Sequence, residues 1–415
     1  MNANTKSKFH LILILGLLTA IGPFSIDMYL PAFPAIAKGL NTSVASVMLS
    51  LSAFFIGISV GQLMYGPLLE RFGRKQPLYI GLGIYVLASL GCAAATSIDM
   101  LIVCRLFQAL GGCVGMVASR AMVRDLFEVK DNAKVFSTLM LVVAVSPIIA
   151  PTLGGYITAG LGWRYVFGML LIVILTIIVG IYFLLPESKA PNKAYSLKPL
   201  PILKNYLEIL RHPQFSTFAF TGAIASAGLY AYISGSPNVF MEIFKVSEQV
   251  YGWIFAVIAI GLIAATQVNN RLLKKYSSEQ IIRGVLILQS LIGLTLVLLP
   301  IIGWVELYTT IFLIFLYLSC QGFLFPNASA LSMASFGHNA GSASALMGFI
   351  QMSIGAMMSS VVSFLQNDTL LPMVGVMAGC SLAATMLYSF GRKVIQQKAS
   401  KILIEEEEVE MMQTL

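Results

Sequence analysis

The chain has 415 residues, of which 58% are apolar and only 11% charged, and its mean hydropathy is +0.85. Soluble domains carry about 25% charge, and a globule in water could not cover its surface with so few ions. A soluble enzyme, a secreted disulfide scaffold and a disordered chain are therefore excluded. The net charge of +8 would suit a nucleic-acid partner only if the basic residues clustered on a soluble domain.

A membrane span needs about 20 apolar residues. Reading in chain order gives twelve such runs, at residues 9–37, 44–68, 77–96, 99–122, 133–160, 163–185, 214–240, 249–270, 281–302, 306–330, 341–365 and 369–391. The first also resembles a signal peptide, with Lys6 and Lys8 ahead of it and Ala35-Ile36-Ala37 as a cleavage-like end. It is too long for a signal sequence and is retained as a span. Most connections are short and polar. The exception, residues 186–213, carries Pro186, Pro191, Pro199, Pro201 and Pro213 with five basic residues. The predicted organisation is thus an all-α membrane protein of two six-helix bundles, 1–185 and 214–391, joined by the linker 186–213. An acidic tail, 392–415, contains Glu405–Glu408 and Glu410. Two six-span halves suggest a duplicated transporter with its site between them.

The basic residues are placed asymmetrically. Lys38, Arg164 and Lys245 fall on one side of the predicted bundle and Arg105 lies inside a span; the rest of the 26 fall in the alternate loops and termini. By the positive-inside rule both termini are cytoplasmic. The charge is then a rim along a membrane, and nucleic acid is not an expected partner. Cys92, Cys104, Cys113, Cys320 and Cys380 sit in apolar stretches, and His10, His212 and His338 are scattered. No metal-ligand spacing appears, and no nucleophile–base pair or phosphate loop marks an enzyme.

Asp27 alone among the 18 acids is deep within a span, and Arg105 is read as its basic counterpart. A charge at mid-bilayer costs about 2.5–3.5 kcal/mol on the lenient insertion scale and commonly marks an ion or substrate path. At 1.5 Å per residue, Arg105 lies about 9 Å and Asp27 about 12 Å from the same face. Similar depth predicts contact, either as a proton-exchanging pair or as a structural ion pair between spans one and four. Around Asp27, Pro31 and Pro34 leave the carbonyls of Asp27 and Leu30 without helical amides. A broken helix is tolerated in a membrane only against protein or a water-filled cavity.

Four motifs resemble the major facilitator superfamily. Gly66-Pro67-Leu68-Leu69-Glu70-Arg71-Phe72-Gly73-Arg74-Lys75 is similar to its G-x-L-x-D-R-x-G-R-[RK] signature, with Glu70 in place of Asp. Arg105-Leu106-Phe107-Gln108 through Gly112 resembles the span-four motif with the membrane arginine. Ser146-Pro147 through Pro151-Thr152-Leu153-Gly154-Gly155 resembles the antiporter motif of drug/proton exchangers. Asp27-Met28-Tyr29-Leu30-Pro31, with Tyr232-Ile233-Ser234-Gly235-Ser236-Pro237, resembles the bicyclomycin- and chloramphenicol-resistance (Bcr/CflA) subgroup.

The resemblance implies alternating access between two halves, with Gly66, Glu70, Arg71, Gly73, Arg74, Pro147, Pro151, Gly154 and Gly155 serving conformational change. It implies that the acid at position 70 caps span eleven. The expected function is proton-coupled multidrug efflux from a bacterial cytoplasmic membrane by a monomer. Asp27 and Arg105 would handle the proton, with no cofactor beyond that coupling ion and no metal. Tyr29, Gln108, Tyr230, Tyr232, Ser236, Asn238, Gln321, Asn327 and Gln351 are candidates for the substrate wall. The scarcity of buried basic groups favours neutral or cationic, partly apolar cargo. Exporters of a natural metabolite, amino acid or siderophore remain open, as does a proton symporter for uptake, against which the Pro147/Pro151/Gly154 motif argues.

Overall fold

A computed structural model describes residues 3–127, 129–192, 197–336, 340–367 and 369–413, with side chains described for most of them. His338 and Lys193 lie outside the described residues, as do the side chains of the acidic run Glu405–Glu408 and of Glu410. Every regular element is helical among the described residues, as composition predicts. In order these are α1 (Ala3–Asp27), a 3-10 turn (Leu30–Ala32), α2 (Phe33–Gly39), α3 (Val44–Phe72), α4 (Lys75–Ala93), α5 (Ile98–Leu126), α6 (Val129–Gly160) and α7 (Arg164–Leu184). Then come α8 (Pro199–Arg211), α9 (Pro213–Pro237), a π-helical turn (Asn238–Ile243), α10 (Glu248–Leu272), α11 (Ser278–Ile301), α12 (Leu307–Ser319), α13 (Gln321–Met333), α14 (Ala340–Leu365) and α15 (Leu371–Gln413).

Eleven helical segments among the described residues are long and apolar enough to cross a membrane. The twelfth span is α9, which has the length but is rich in Ser, Thr, Gly and Tyr, and most of its residues are buried. A helix walled by other helices does not need the lipid-facing apolar surface that makes a span easy to recognise. Two elements depart from the sequence reading. The tenth span is broken at Cys320 into α12 and α13, and the last helix continues through the predicted tail to Gln413. The linker contains α8, whose Tyr206 and Ile209 pack with Phe215 of α9 and Ala343 of α14.

Helices α3 and α14 meet along much of their length. Ser363 Oγ donates to the Ala45 carbonyl at 2.6 Å, and the Ser52–Ser359 and Ser59–Ser353 hydroxyls pair at 2.9 and 2.6 Å. Helices α6 and α10 form the second such seam, where small residues bring backbones together. A Cβ on Gly155 would stand 2.6 Å from the Glu248 carbonyl, and one on Gly252 would stand 2.9 Å from the Thr152 Cα. At the same end the 3-10 turn packs on α9 and α10, and α2 packs on the π-helical turn. Of the described basic residues, this end carries Lys38, Arg164 and Lys245.

The closest approach is at Gly154, where a Cβ would lie 2.1 Å from the Met28 carbonyl. Gly66 has open space at the corresponding position. Gly154→Ala is therefore expected to lower stability by about 1–3 kcal/mol through overpacking and to reduce transport at least tenfold. Gly66→Ala should leave both unchanged. Thermal unfolding in detergent and transport in vesicles check the contrast, and equal effects would show that close packing at Gly154 is unimportant.

Candidate functional site

Arg105 is wholly buried on α5. Its Nη1 donates to Gln108 Oε1 at 2.7 Å and its Nη2 to the Ser25 carbonyl at 3.1 Å, while Nε finds no partner. The guanidinium carbon lies 4.3 Å from the Tyr29 ring centroid, 4.1 Å from that of Phe54 and 6.0 Å from that of Phe167. Such cation–π contacts strengthen when desolvated. Gln108 is fixed in turn, since its Nε2 donates to Ser89 Oγ at 2.8 Å. The Tyr29 hydroxyl pairs with Ser50 Oγ at 2.7 Å.

The Ser25 carbonyl is available because α1 stops here. In a continuing helix it would accept from the Tyr29 amide, but that amide bonds Ile26 at 3.2 Å, tightening into the 3-10 turn. Pro34 cannot serve the Leu30 carbonyl, which accepts from Phe33 within the same turn. Arg105 therefore satisfies a backbone acceptor that the helix break leaves open.

The expected Asp27–Arg105 pair is absent: no ion pair joins them among the described residues, and Arg105 has no carboxylate partner. Similar depth did not imply the same face. Ser25 and Tyr29 are four residues apart and share a side, whereas Asp27 lies between them, about 200° from Ser25 at 100° per residue. It looks away from Arg105 and toward α9 and α10. There its carboxyl, 4% exposed, lies in the electrostatic neighbourhood of the Tyr232 and Tyr251 hydroxyls. Tyr251 pairs with Ser236 Oγ at 2.8 Å, and the buried Tyr232 hydroxyl has no hydrogen bond. Asn238 opens the π-helical turn that follows. Gly154 rests on Met28, next to the acid.

The remaining wall candidates separate. Tyr29 and Gln108 are engaged by Ser50 and Arg105. Tyr230 packs edge-on against Phe55, with ring centroids 4.9 Å apart. Gln321 donates to the Ala225 carbonyl at 2.7 Å and Asn327 to Asn269 Oδ1 at 2.7 Å, so both brace helices of the second half. Gln351 is half-buried on α14. Tyr251, Ser50, Phe54 and Asn269 were not singled out from the sequence. Aromatic and hydroxyl residues are too common in apolar helices to stand out there.

Glu70 and Arg74 also have partners other than those implied. Glu70 accepts from Arg74 at 3.0 Å and from Lys189 at 2.6 Å, one donor on each oxygen. Arg74 Nε donates to Asp125 at 2.8 Å, and Glu187 accepts from the Arg74 and Lys75 amides at 2.7 and 3.0 Å. Gly73 adopts φ +79°, with the Lys189 carbonyl 3.1 Å from where its Cβ would stand. The signature loop thus grips the start of the linker. Arg71 ends α3 beside it. Arg120, read from sequence among the loop cations, lies inside α5 and is half-buried.

Residues 15–360 match the Major Facilitator Superfamily. The chain belongs to that superfamily. It is a transporter, not an enzyme. Among its relatives, the uncharacterized MFS-type transporter YdgK of Bacillus subtilis (strain 168) is 33% identical over 91% of this chain and 94% of its own. A bicyclomycin resistance protein homolog of Haemophilus influenzae is 30% identical over 93% and 96%. A chloramphenicol resistance protein of Pseudomonas aeruginosa is 27% identical over 88% and 86%. These relatives agree with the drug-exporter subgroup that the span-one and span-seven motifs resemble. A solved D-xylose-proton symporter superposes with TM-score 0.73 at 15% identity, over 92% of this chain and 97% of its own, and shows the fold.

If Arg105 acts through the backbone, its loss and that of Asp27 should be independent. Arg105→Ala is expected to lower stability by about 2–4 kcal/mol, and Asp27→Asn to change it by less than about 0.5 kcal/mol. The double mutant should then be additive to within about 0.5 kcal/mol. Coupling above about 1 kcal/mol in thermal unfolding would reveal the direct ion pair that the geometry lacks.

Proposed function

We propose that this transporter is a proton-coupled exporter of small, partly apolar molecules, working as a monomer in a bacterial cytoplasmic membrane. The basic end would face the cytoplasm with both termini, as the charge asymmetry favours. The observation that carries the reading is the position of Asp27. It is an acid at a helix break, at the end of α1 where the following 3-10 turn meets α9 and α10, beside a glycine of the antiporter-like motif. Residues 1–185 and 214–391 would move as two bodies about that seam, with 186–213 as the connection and 392–415 as a cytoplasmic extension.

The physical chemistry supplies a cycle. A neutral carboxylic acid is tolerated among Tyr232, Tyr251 and Met28, whereas a carboxylate there lacks a cation and loses hydration. Protonation therefore favours closure of the non-cytoplasmic end, the end that is packed in this structure. Deprotonation favours the arrangement that readmits water. Cargo arriving from the basic end adds contacts that offset the cost of the charged state, so cargo and proton move oppositely. Arg105 maintains the bend that presents the acid. Tyr232, Ser236, Tyr251 and Asn238 are the wall residues nearest that exchange.

The drug-resistance relatives make bicyclomycin- and chloramphenicol-like compounds the first cargo to test. Export of a natural metabolite uses the same machinery, and susceptibility testing beside metabolite profiling separates the two. Overexpression should raise the inhibitory concentration of at least one such drug severalfold, and Asp27→Asn should abolish the gain while the protein remains in the membrane. In inside-out vesicles the wild type should accumulate cargo only with an imposed proton gradient. Accumulation by the Asp27→Asn protein against a gradient would refute proton coupling at this residue.

A further inference from the structure

Helix α8 has two apolar sides, and one of them is covered by protein. Tyr206 and Ile209 join the buried group that holds Phe215 of α9 and Ala343 of α14, and Asn205 donates to Ser342 at 3.0 Å. Phe215, Ser342 and Ala343 stand within three residues of the starts of α9 and α14, or about 5 Å at 1.5 Å per residue. Both spans begin at the basic end, so α8 lies at the level of the bilayer boundary there. With 13 residues it is too short to cross a membrane. The extended His212 ends it ahead of Pro213, because a residue before proline is pushed out of the α region. It is thus a separate helix and not a prolongation of span seven.

The second side is bare. Leu200, Leu203 and Leu207 are 66%, 55% and 42% exposed. At 100° per residue these leucines fall within about 60° of one another, and their stripe is centred about 120° from Tyr206 and Ile209. Lys204 and Arg211 are exposed as well. They stand about 20–40° beyond Leu200, along one edge of the stripe. Glu208, the one acid of the helix, stands further round. Exposed apolar stripes of this kind mark contact surfaces. A leucine stripe edged by cations, on a helix at the bilayer boundary, is suited to the plane of the interface. Anionic headgroups complement those cations.

We propose that α8 lies in the leaflet at the basic end, with Leu200, Leu203 and Leu207 among the acyl chains and Lys204 and Arg211 on the phosphates of anionic phospholipids. Asn205 ties α8 to the second half, so a leaflet that holds α8 also holds the starts of α9 and α14 at that depth. The anchor is independent of cargo and of proton coupling.

The test attaches a nitroxide spin label to Leu200→Cys, Leu203→Cys, Leu207→Cys and Glu208→Cys in the full chain. Cys104 is the one native cysteine that is not buried, and it is replaced by Ser in this background. The bilayer is phosphatidylcholine with phosphatidylglycerol. Oxygen enters the bilayer and a water-soluble nickel chelate does not. The ratio of oxygen to nickel accessibility at the three leucine positions should exceed that at Glu208 by at least about threefold, since α8 is buried in the interface on that side only. Leucine positions open to the chelate would overturn the proposal. Positions closed to both reagents would place protein over the stripe, a second copy or the acidic tail, and would overturn it equally. In the same bilayers the unlabelled chain should prefer spin-labelled phosphatidylglycerol to phosphatidylcholine. Lys204→Gln with Arg211→Gln should remove at least about half of that preference, and Lys204→Arg with Arg211→Lys, which keeps both charges, should retain it. An unchanged preference in the glutamine pair would overturn the assignment of the headgroups.

Discussion

The central constraint is a guanidinium buried without a carboxylate. Placing Arg105 inside the first half would be costly unless its donors and its charge were both accommodated. The fold accommodates them with the Ser25 carbonyl, the Gln108 amide oxygen and the faces of Tyr29 and Phe54. Each contact requires another. The carbonyl is open only because α1 ends at Asp27, and Gln108 is aimed by Ser89. The arginine and the helix break support one another, and the acid is left on the opposite face.

That division assigns separate tasks to the two charges. Arg105 belongs to the interior of one half, whereas Asp27 belongs to the seam between halves. An acid locked in a strong ion pair would release its proton over a range set by the pair. An acid facing tyrosine hydroxyls and a close-packed glycine responds to whether the seam is closed. The second arrangement ties protonation to geometry, which is what the proposed exchange cycle requires.

Much of the fold was legible because a bilayer imposes blunt rules. Twelve apolar runs, a proline-rich connection and lopsided cations follow from the solvent. The seventh span is legible from its length and flanking breaks although it is rich in Ser, Thr, Gly and Tyr. The site was legible in part. Depth along a helix can be counted from sequence, so Asp27 and Arg105 were recognised as unusual; rotation about the axis was not used, and their pairing was misjudged. Arg120 lies inside α5 but reads as a loop residue, because a cation within two turns of a span end has the same appearance in sequence. Gln321 and Asn327 brace neighbouring helices, and in sequence a buried amide that does so looks the same as one that meets a ligand.

The grip of the signature loop on the linker sets a mechanical limit. Glu70 and Glu187 fix the chain to the first half as far as Asn192, whose amide reaches the Glu70 carbonyl at 3.4 Å. Helix α8 is fixed to the second, where Asn205 donates to Ser342 at 3.0 Å. Between Asn192 and Pro199 lie seven peptide steps, a contour of about 25 Å. The covalent joint is thus a short leash rather than a free linker. It caps how far those two anchor points can separate, so any larger rotation of the halves must pivot close to this joint and express its travel at the opposite end.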